Sequence, residues 1–294
     1  VIPAGAPIGS VAPNGLTLVG LRPYSSPTCN PFTGANCPAD GVPVFTDIFA
    51  EDTIANSNYN AFEAMLEKRF SKGLQFQAAY TFSKSIDEAS SFEETLNPFN
   101  FDANRALSLF NSAQRFVISY FWDLPIPKYS GLKGKLLDDW AVSGITEFQS
   151  GFPIRLTNDS INAASDSELV NSFFFTGTEA PQRVAPFNTL NPKNNGGYWF
   201  NPNDFASPPL GQFNTGTQRT ICCGPGLVNT DFSVHKQMAI TETKYMQFRT
   251  EIFNIANHTQ FTNPDGNLGD GALFGKITSA QSPRLVQFAL KLFF

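Results

Sequence analysis

Apolar and polar residues alternate in several separated stretches of this chain, and this alternation constrains the fold more than any other feature. The clearest stretch is LQFQAAYTFSKSID, in which Phe76 and Tyr80 belong to an apolar set and Gln75 and Gln77 to a polar set. Because successive side chains of a strand point to opposite faces, a period of two predicts a strand with one apolar face. The fold is therefore expected to be all-β.

The same test predicts seven strands. They are found in NAFEAMLEKRF, LQFQAAYTFSKSID, RFVISYFWDL, WAVSGITEFQ, TDFSVHKQM, YMQFRTEIF and RLVQFALKLFF. Only SKG separates the first two, which predicts a hairpin. If these strands belong to a bacterial single-chain barrel, seven is too few, because such barrels have an even number of at least eight strands, so further strands are expected upstream.

The apolar faces must be covered by a protein core or by lipid. Only 15% of the residues are charged, against about a quarter in soluble proteins. No window approaches the roughly 20 apolar residues of a membrane helix, so contact with lipid would require a closed barrel. The lysines of the apolar sets, Lys68, Lys84, Lys236 and Lys244, lie near strand ends. A lipid-facing lysine costs about 2–4 kcal/mol at the bilayer midplane and about 0–1 kcal/mol at the interface, so this placement favours lipid.

Short and long connections alternate along the chain. The long ones are predicted at 88–114, 151–227 and 254–283, and residues 1–58 are expected to form an extracellular loop region with little regular structure. Outer-membrane barrels have short periplasmic turns and long extracellular loops. Residues 59–294 are therefore predicted to form an antiparallel up-and-down transmembrane β-barrel. The start, VIPAGAPIGS, has no initiator Met, no charged n-region and no apolar h-region, and we expect an interior fragment, with a mature product as the alternative.

The four cysteines lie in two places. Cys29 and Cys37 bracket CNPFTGANC, and we expect a disulfide between them, with free loop thiols as the alternative. Cys222 and Cys223 are adjacent, and their pairing is left open.

Several blocks, in order, resemble one family. They are NAFEAMLEKRFSKGLQFQAAYTFSKSIDE, QRFVISYFWDLP, WAVSGITEFQSGFPI, WFNPNDFA, GPGLVNTDFSVHK, QFRTEIFNIANHTQF and FGKITSAQSPRLVQFALKLFF. The chain resembles the C-terminal barrel of TonB-dependent outer-membrane receptors, especially the Oar-like branch with a carboxypeptidase regulatory domain that is common in Acidobacteria. The resemblance implies a barrel of about 22 strands filled by a plug, and it implies the TonB system, the plug domain and a solute as partners.

The C-terminal strand also resembles the signal that the barrel-assembly machinery reads in such proteins. The residues that match it are Val286, Phe288, Leu290, Leu292 and Phe294. The alternative is that these five side chains only face outer-membrane lipid, and both can be true of one strand.

The sequence predicts no catalytic, cofactor or metal site, and no enzyme. His235 and His258 have no metal-ligand spacing, and no Lys/Arg stripe indicates nucleic acid at a formal net charge of −5. NPDGNLGDG lacks the glutamate that closes a calcium loop and is expected to be a turn.

A set of charged residues is expected to face the lumen, either lining a solute path or pairing to fix strand register: Glu63, Glu67, Arg69, Arg115, Glu147, Asp231, Arg249 and Glu251.

Two functions from different classes follow. The first is an outer-membrane receptor for TonB-dependent active uptake of a bulky nutrient, such as a siderophore or a glycan fragment. The second is a surface structural or adhesion protein, anchored by the barrel, that uses its long loops for interaction. A soluble carbohydrate-binding sandwich is disfavoured by the lysines at the strand ends.

Overall fold

A computed structural model describes residues 53–91, 100–158, 180–207, 217–241 and 243–294. Within these ranges seven long strands form one sheet. They are β1 (Ser57–Ser71), β2 (Leu74–Asp87), β3 (Gln114–Asp123), β4 (Trp140–Gln149), β5 (Leu227–Ala239), β6 (Tyr245–Phe253) and β7 (Leu285–Phe293). Each strand pairs antiparallel with its neighbour in sequence. The predicted strands and their up-and-down order are confirmed.

The strand lengths suit a membrane. They run from 9 residues in β6 and β7 to 15 residues in β1, and a tilted strand needs about 9–11 residues to cross the hydrocarbon layer. Strand β1 begins at Ser57, two residues before the predicted boundary at 59, and residues 1–52 lie outside the described residues. The extracellular location of the long loops stays a prediction.

One end of the sheet, here called the turn end, carries the connections 72–73, 124–139 and 240–244 together with Phe294. Lys72 and Gly73 have φ values of 52° and 77°, and positive φ at both central residues defines the two-residue hairpin turn that fits the twist of paired strands. Lys68 Nζ donates to the carbonyls of Ser71 and Leu74. The ammonium group of this apolar-face lysine therefore has hydrogen-bond partners at the strand end.

Helix α1 (Gly131–Leu137) lies in the connection 124–139 and was not predicted. The helix has the sequence GLKGKLL, whose leucines and lysines favour helix. At seven residues it is too short to show a helical period clearly, which is why alternation-based reasoning passed over it. In the described part of the chain, no helix is long and apolar enough to span a membrane.

The opposite end, here called the loop end, has a hydrophobic core of its own. Short strand pairs join Ile154–Arg155 to Thr220–Ile221 and Gln182–Arg183 to Phe205–Ala206. Six side chains are buried together: Ile154, Leu156, Phe200, Phe205, Ile221 and Phe274. The ring of Phe274 meets those of Phe200 and Phe205 edge-to-face at centroid distances of 5.2 and 5.5 Å. The segment GGYWFNPNDF therefore contributes Phe200 and Phe205 to a core that also contains Phe274 from another long connection.

The two outermost strands of the described sheet, β1 and β7, do not pair with each other. Many apolar side chains of the sheet are exposed, among them Phe62, Leu66, Phe288 and Leu290, each more than half accessible. A water-soluble sheet would cover such residues with a second layer. Here one face of the sheet is apolar and uncovered over nearly its whole width.

Candidate functional site on the concave face

The pairing register separates the side chains of the sheet into two faces. On one face Phe76 pairs with Tyr120 and Phe116 with Phe148. Cross-strand partners share a face, so following the register across all seven strands assigns nine apolar residues, at least one from each strand, to this face. They are Phe62, Leu66, Phe76, Tyr80, Phe116, Phe148, Phe232, Phe248 and Phe288. The prediction of two separated faces is confirmed.

All eight predicted wall residues lie on the opposite, polar face or at its turn-end margin. This face surrounds a concave depression of about 610 Å³. Five of the eight line it: Glu67, Arg69, Asp231, Arg249 and Glu251. The other three, Glu63, Arg115 and Glu147, share the face nearer the loop end. That this face borders a lumen stays a prediction, because the described sheet is open.

Most of these charges pair with close neighbours. Arg115 Nε lies 2.7 Å from Glu147 Oε1 across β3 and β4. Arg249 Nη1 lies 3.1 Å from Glu251 Oε1 two residues along β6, and Arg69 lies 3.7 Å from Glu67 on β1. The first pair ties adjacent strands together, which supports the register-fixing interpretation. The other two pairs stay within one strand and leave both members at the depression.

Arg249 is the least satisfied of these groups. Its Nε is buried and has no hydrogen-bond partner among the described residues, although its side chain is 31% accessible. A guanidinium presents five donors in a rigid fork. Its neighbours in the structure therefore leave part of the donor capacity of Arg249 unused.

His235 lies next to Arg249 across β5 and β6. Its Nε2 is 2.9 Å from Ser143 Oγ, and its ring lies 6.1 Å from that of Phe121. His235 is therefore a hydrogen-bonded residue of the polar face. Among the described residues, no three His, Cys, Asp or Glu side chains come together to hold a metal ion.

Asp231 has a structural task beyond lining the depression. Its Oδ1 accepts from the Asn254 backbone N–H at 2.9 Å and from Asn229 Nδ2 at 3.0 Å. Asn254 is the residue after β6 and has a φ of 52°. The carboxylate therefore holds the start of a long connection against β5.

The loop end contains a buried ion pair that sequence reasoning missed. The side chains of Arg219 and Asp87 are each 2% accessible, and Arg219 Nη2 contacts Asp87 Oδ1. Arg219 Nε also donates to Asn104 O at 3.0 Å. The partners are 132 residues apart, and no local pattern marks either residue.

The cysteines have different outcomes. Cys222 and Cys223, whose pairing was left open, form a disulfide across a cis peptide bond. The predicted pair Cys29 and Cys37 lies outside the described residues, so their disulfide stays a prediction.

The predicted assembly signal lies on the apolar face at the edge of the sheet. Val286, Leu290 and Leu292 pair with β6 residues of that face, as does Phe288 opposite Thr250. Phe294 follows the last strand residue and is 93% accessible. Recognition by the assembly machinery stays a prediction.

The turn expected at NPDGNLGDG is confirmed. The Asp265 carboxylate accepts from the Asn267 backbone N–H at 2.7 Å, and the Asn267 side chain accepts from the Gly269 N–H at 3.1 Å. Burial raises the pKa of Asp265, and a hydrogen bond with the Asp270 side chain raises it further, while the Asn267 N–H lowers it. Two further expectations fall outside the described residues, namely that DSINAASDSE forms a solvated loop and not a cation site, and that SFFFTG packs its loop and does not stack on a sugar.

Comparison with known proteins gives one family. A family model described as outer membrane beta barrel domain matches residues 7–287. No curated protein and no solved structure gives a significant match.

Proposed function

The chain belongs to the outer membrane beta barrel domain family and is located in the bacterial outer membrane, and on this premise we propose that it forms part of a receptor barrel for active uptake of a bulky nutrient. The proposed solute class is a siderophore, a glycan fragment or a compound of similar size. In this proposal the barrel acts as a receptor and catalyses no reaction, and the TonB system and a plug domain are its partners.

One observation carries this proposal, namely the set of charged and hydroxyl side chains around the depression on the polar face. Ser233, Ser143 and Arg249 border this depression of about 610 Å³, together with apolar residues such as Phe121 and Ile145. The interiors of barrels with about eight strands are filled by their own side chains, whereas wider barrels have a polar interior that holds a plug or passes a solute. Polar side chains with space beside them suit the interior of such a wide barrel.

The loop-end core favours the second candidate, a surface protein that uses its loops for interaction. The buried cluster around Phe200 and Phe274 holds segments from two long connections in one packed unit. An ordered unit at the end of a barrel can bind a solute before uptake, and it can equally bind another surface. The depression favours uptake, because adhesion does not require a face with charged side chains and room for a solute.

The experiment that separates the two measures energy-dependent accumulation. A strain that lacks the gene and a complemented strain are given labelled ferric siderophores and oligosaccharides, each with and without a protonophore. We expect complementation to restore accumulation of at least one solute, and we expect the protonophore to abolish it. Accumulation that is identical in both strains for the whole panel would contradict uptake, and a loss of cell adhesion alone would favour the second candidate.

A pair of variants connects the assay to the depression. Ser233→Tyr places a ring in the depression, whereas Thr243→Tyr adds the same ring to an exposed position of a turn. We expect the first to lower the uptake rate several-fold at an unchanged folded fraction, and the second to leave the rate unchanged. Equal rates for both variants would show that solute does not pass this face.

A further inference from the structure

Helix α1 lies against the apolar face of the sheet at the turn end. Trp140 belongs to that face, and its Nε1 donates to Leu136 O in the helix at 3.0 Å. Lys236 belongs to the same face, and its Nζ donates to Asp138 O just after the helix. Lys236 is only 4% accessible. The helix therefore covers a lysine that would otherwise face lipid.

Every residue of α1 except Gly134 is exposed, and the exposed residues include Leu132 and Leu136, which a surface helix would usually turn toward the protein. Successive helical residues turn by about 100°, so Gly134 faces away from Leu132 and Leu136. Gly134 is buried, and a Cβ there would lie 2.1 Å from Tyr129 O. Leu132 and Leu136 are 77% and 59% accessible. Gly134 thus allows the Tyr129 carbonyl to lie close against the helix, while both leucines lie on the opposite, exposed side.

Two lysines flank these leucines. Lys133 and Lys135 lie on either side of the line through Leu132 and Leu136, and Lys133 Nζ is 4.5 Å from the centre of the Tyr129 ring. The nearby acidic groups already have partners. Asp138 accepts from the Tyr129 N–H, and Asp139 pairs with Lys128.

We propose that α1 is an interfacial helix that docks on the anionic phospholipid headgroups of the leaflet at the turn end of the sheet. Leu132 and Leu136 enter the boundary between headgroups and acyl chains, while Lys133 and Lys135 contact phosphate groups. A helix with an apolar stripe and flanking lysines binds a membrane in this way. The proposal rests on the outer-membrane location and is independent of uptake.

Continuity with the lipid-facing surface supports a membrane as the occupant. Trp122 and Trp140 belong to the apolar face at the same end, and Trp122 is 41% accessible. Tryptophans at this level form the interfacial girdles of outer-membrane barrels. The helix extends this girdle outward from the strand ends.

The test is depth-dependent quenching of an indole placed on the helix. The full chain with Leu132→Trp is folded into phosphatidylcholine vesicles whose acyl chains are brominated close to the headgroup or near the methyl end. Thr243→Trp, at an exposed position of another turn-end connection, is the matched control. The signal of the unsubstituted protein, which contains three Trp, is subtracted, and heat modifiability verifies folding.

We expect the headgroup-proximal bromolipid to quench the Leu132→Trp indole several-fold more than it quenches the control indole. The deep bromolipid should quench the Leu132→Trp indole less than the headgroup-proximal bromolipid does. Acrylamide should quench the control more strongly. Equal bromolipid quenching of the two indoles, or stronger quenching of the Leu132→Trp indole by acrylamide, would overturn the docking.

The charge contribution is tested by adding phosphatidylglycerol to the vesicles. We expect it to increase bromolipid quenching of the Leu132→Trp indole, and we expect Lys133→Gln with Lys135→Gln to remove the increase. Lys193→Gln, at an exposed loop position, should leave it intact. Quenching that does not respond to phosphatidylglycerol would overturn the headgroup contact. Failure of the uptake assay would leave these results unaffected.

Discussion

Replacing Arg219 by Met should destabilise the packing of the loop end while leaving the barrel strands folded. Arg219 and Asp87 are each 2% accessible and in contact, and Arg219 also donates to Asn104 O at 3.0 Å and to Ser90 Oγ at 3.3 Å. Met fills a similar volume, so little packing is lost. The substitution leaves the Asp87 carboxylate buried without its cation.

Removing one partner of a buried ion pair costs about 3–5 kcal/mol. The loop end has its own core, so we expect this loss to appear as local opening rather than global unfolding. At a tenfold change for each 1.4 kcal/mol, amide hydrogen exchange there should accelerate roughly 10²- to 4 × 10³-fold. The Leu156 N–H, which donates to Arg219 O at 2.9 Å, is a suitable reporter.

The matched control is Arg183→Met, since Arg183 is exposed in the same long connection. It should change exchange at Leu156 by less than about threefold, as expected of a surface substitution. Combining Arg219→Met with Asp87→Asn should destabilise the loop end less than the sum of the single changes, because no uncompensated charge remains. Equal exchange at Leu156 in wild type and Arg219→Met would refute the reasoning.

Three further outcomes are expected. Deleting Phe294, or replacing it with Asp, should lower the heat-modifiable folded fraction in outer-membrane preparations of the full-length protein far more than Phe293→Ser, and equal fractions would reduce this terminus to an ordinary strand end. Phe274→Ala empties a fully buried site and should destabilise the loop end by about 3–5 kcal/mol in hydrogen exchange, whereas Leu273→Ala, 46% accessible, should have little effect; similar losses would contradict the core assignment. Burial raises the pKa of Asp265, so its contribution to stability is greatest at low pH and is lost as pH rises through the raised pKa. Asp265→Asn should therefore weaken the dependence of loop-end hydrogen exchange on pH in the acidic range. An unchanged pH dependence would show that Asp265 does not cause it.

The C-terminal strand shows how much the sequence could predict. In Leu285–Phe293 the face of every residue follows from its position in an alternating series, because strand side chains alternate by geometry. The same holds for the separation of Phe116 from Arg115 and of Phe248 from Arg249. The alternation of residues along a strand can be read without knowing which strands pair. The local sequence was therefore sufficient to predict the seven strands and their two faces.

The candidate site could be predicted only in part. The charges on the polar face follow from the same parity, whereas their partners do not. The contact of His235 with Ser143 joins residues 92 apart in sequence, and it depends on β5 pairing with β4 after a long connection. The unpaired Nε of Arg249 is likewise a result of packing.

The sequence by itself determined which residues form strands and which face of each strand is apolar, because both depend on spacing along a few consecutive residues. Tertiary structure alone decided the loop end and the position of helix α1. Arg219 and Asp87 are in contact although 132 residues separate them in sequence. Lys236 is covered because it contacts Asp138, which lies 98 residues earlier in the chain. Such contacts depend on how separate segments pack together, and no periodic pattern within either segment records its partner.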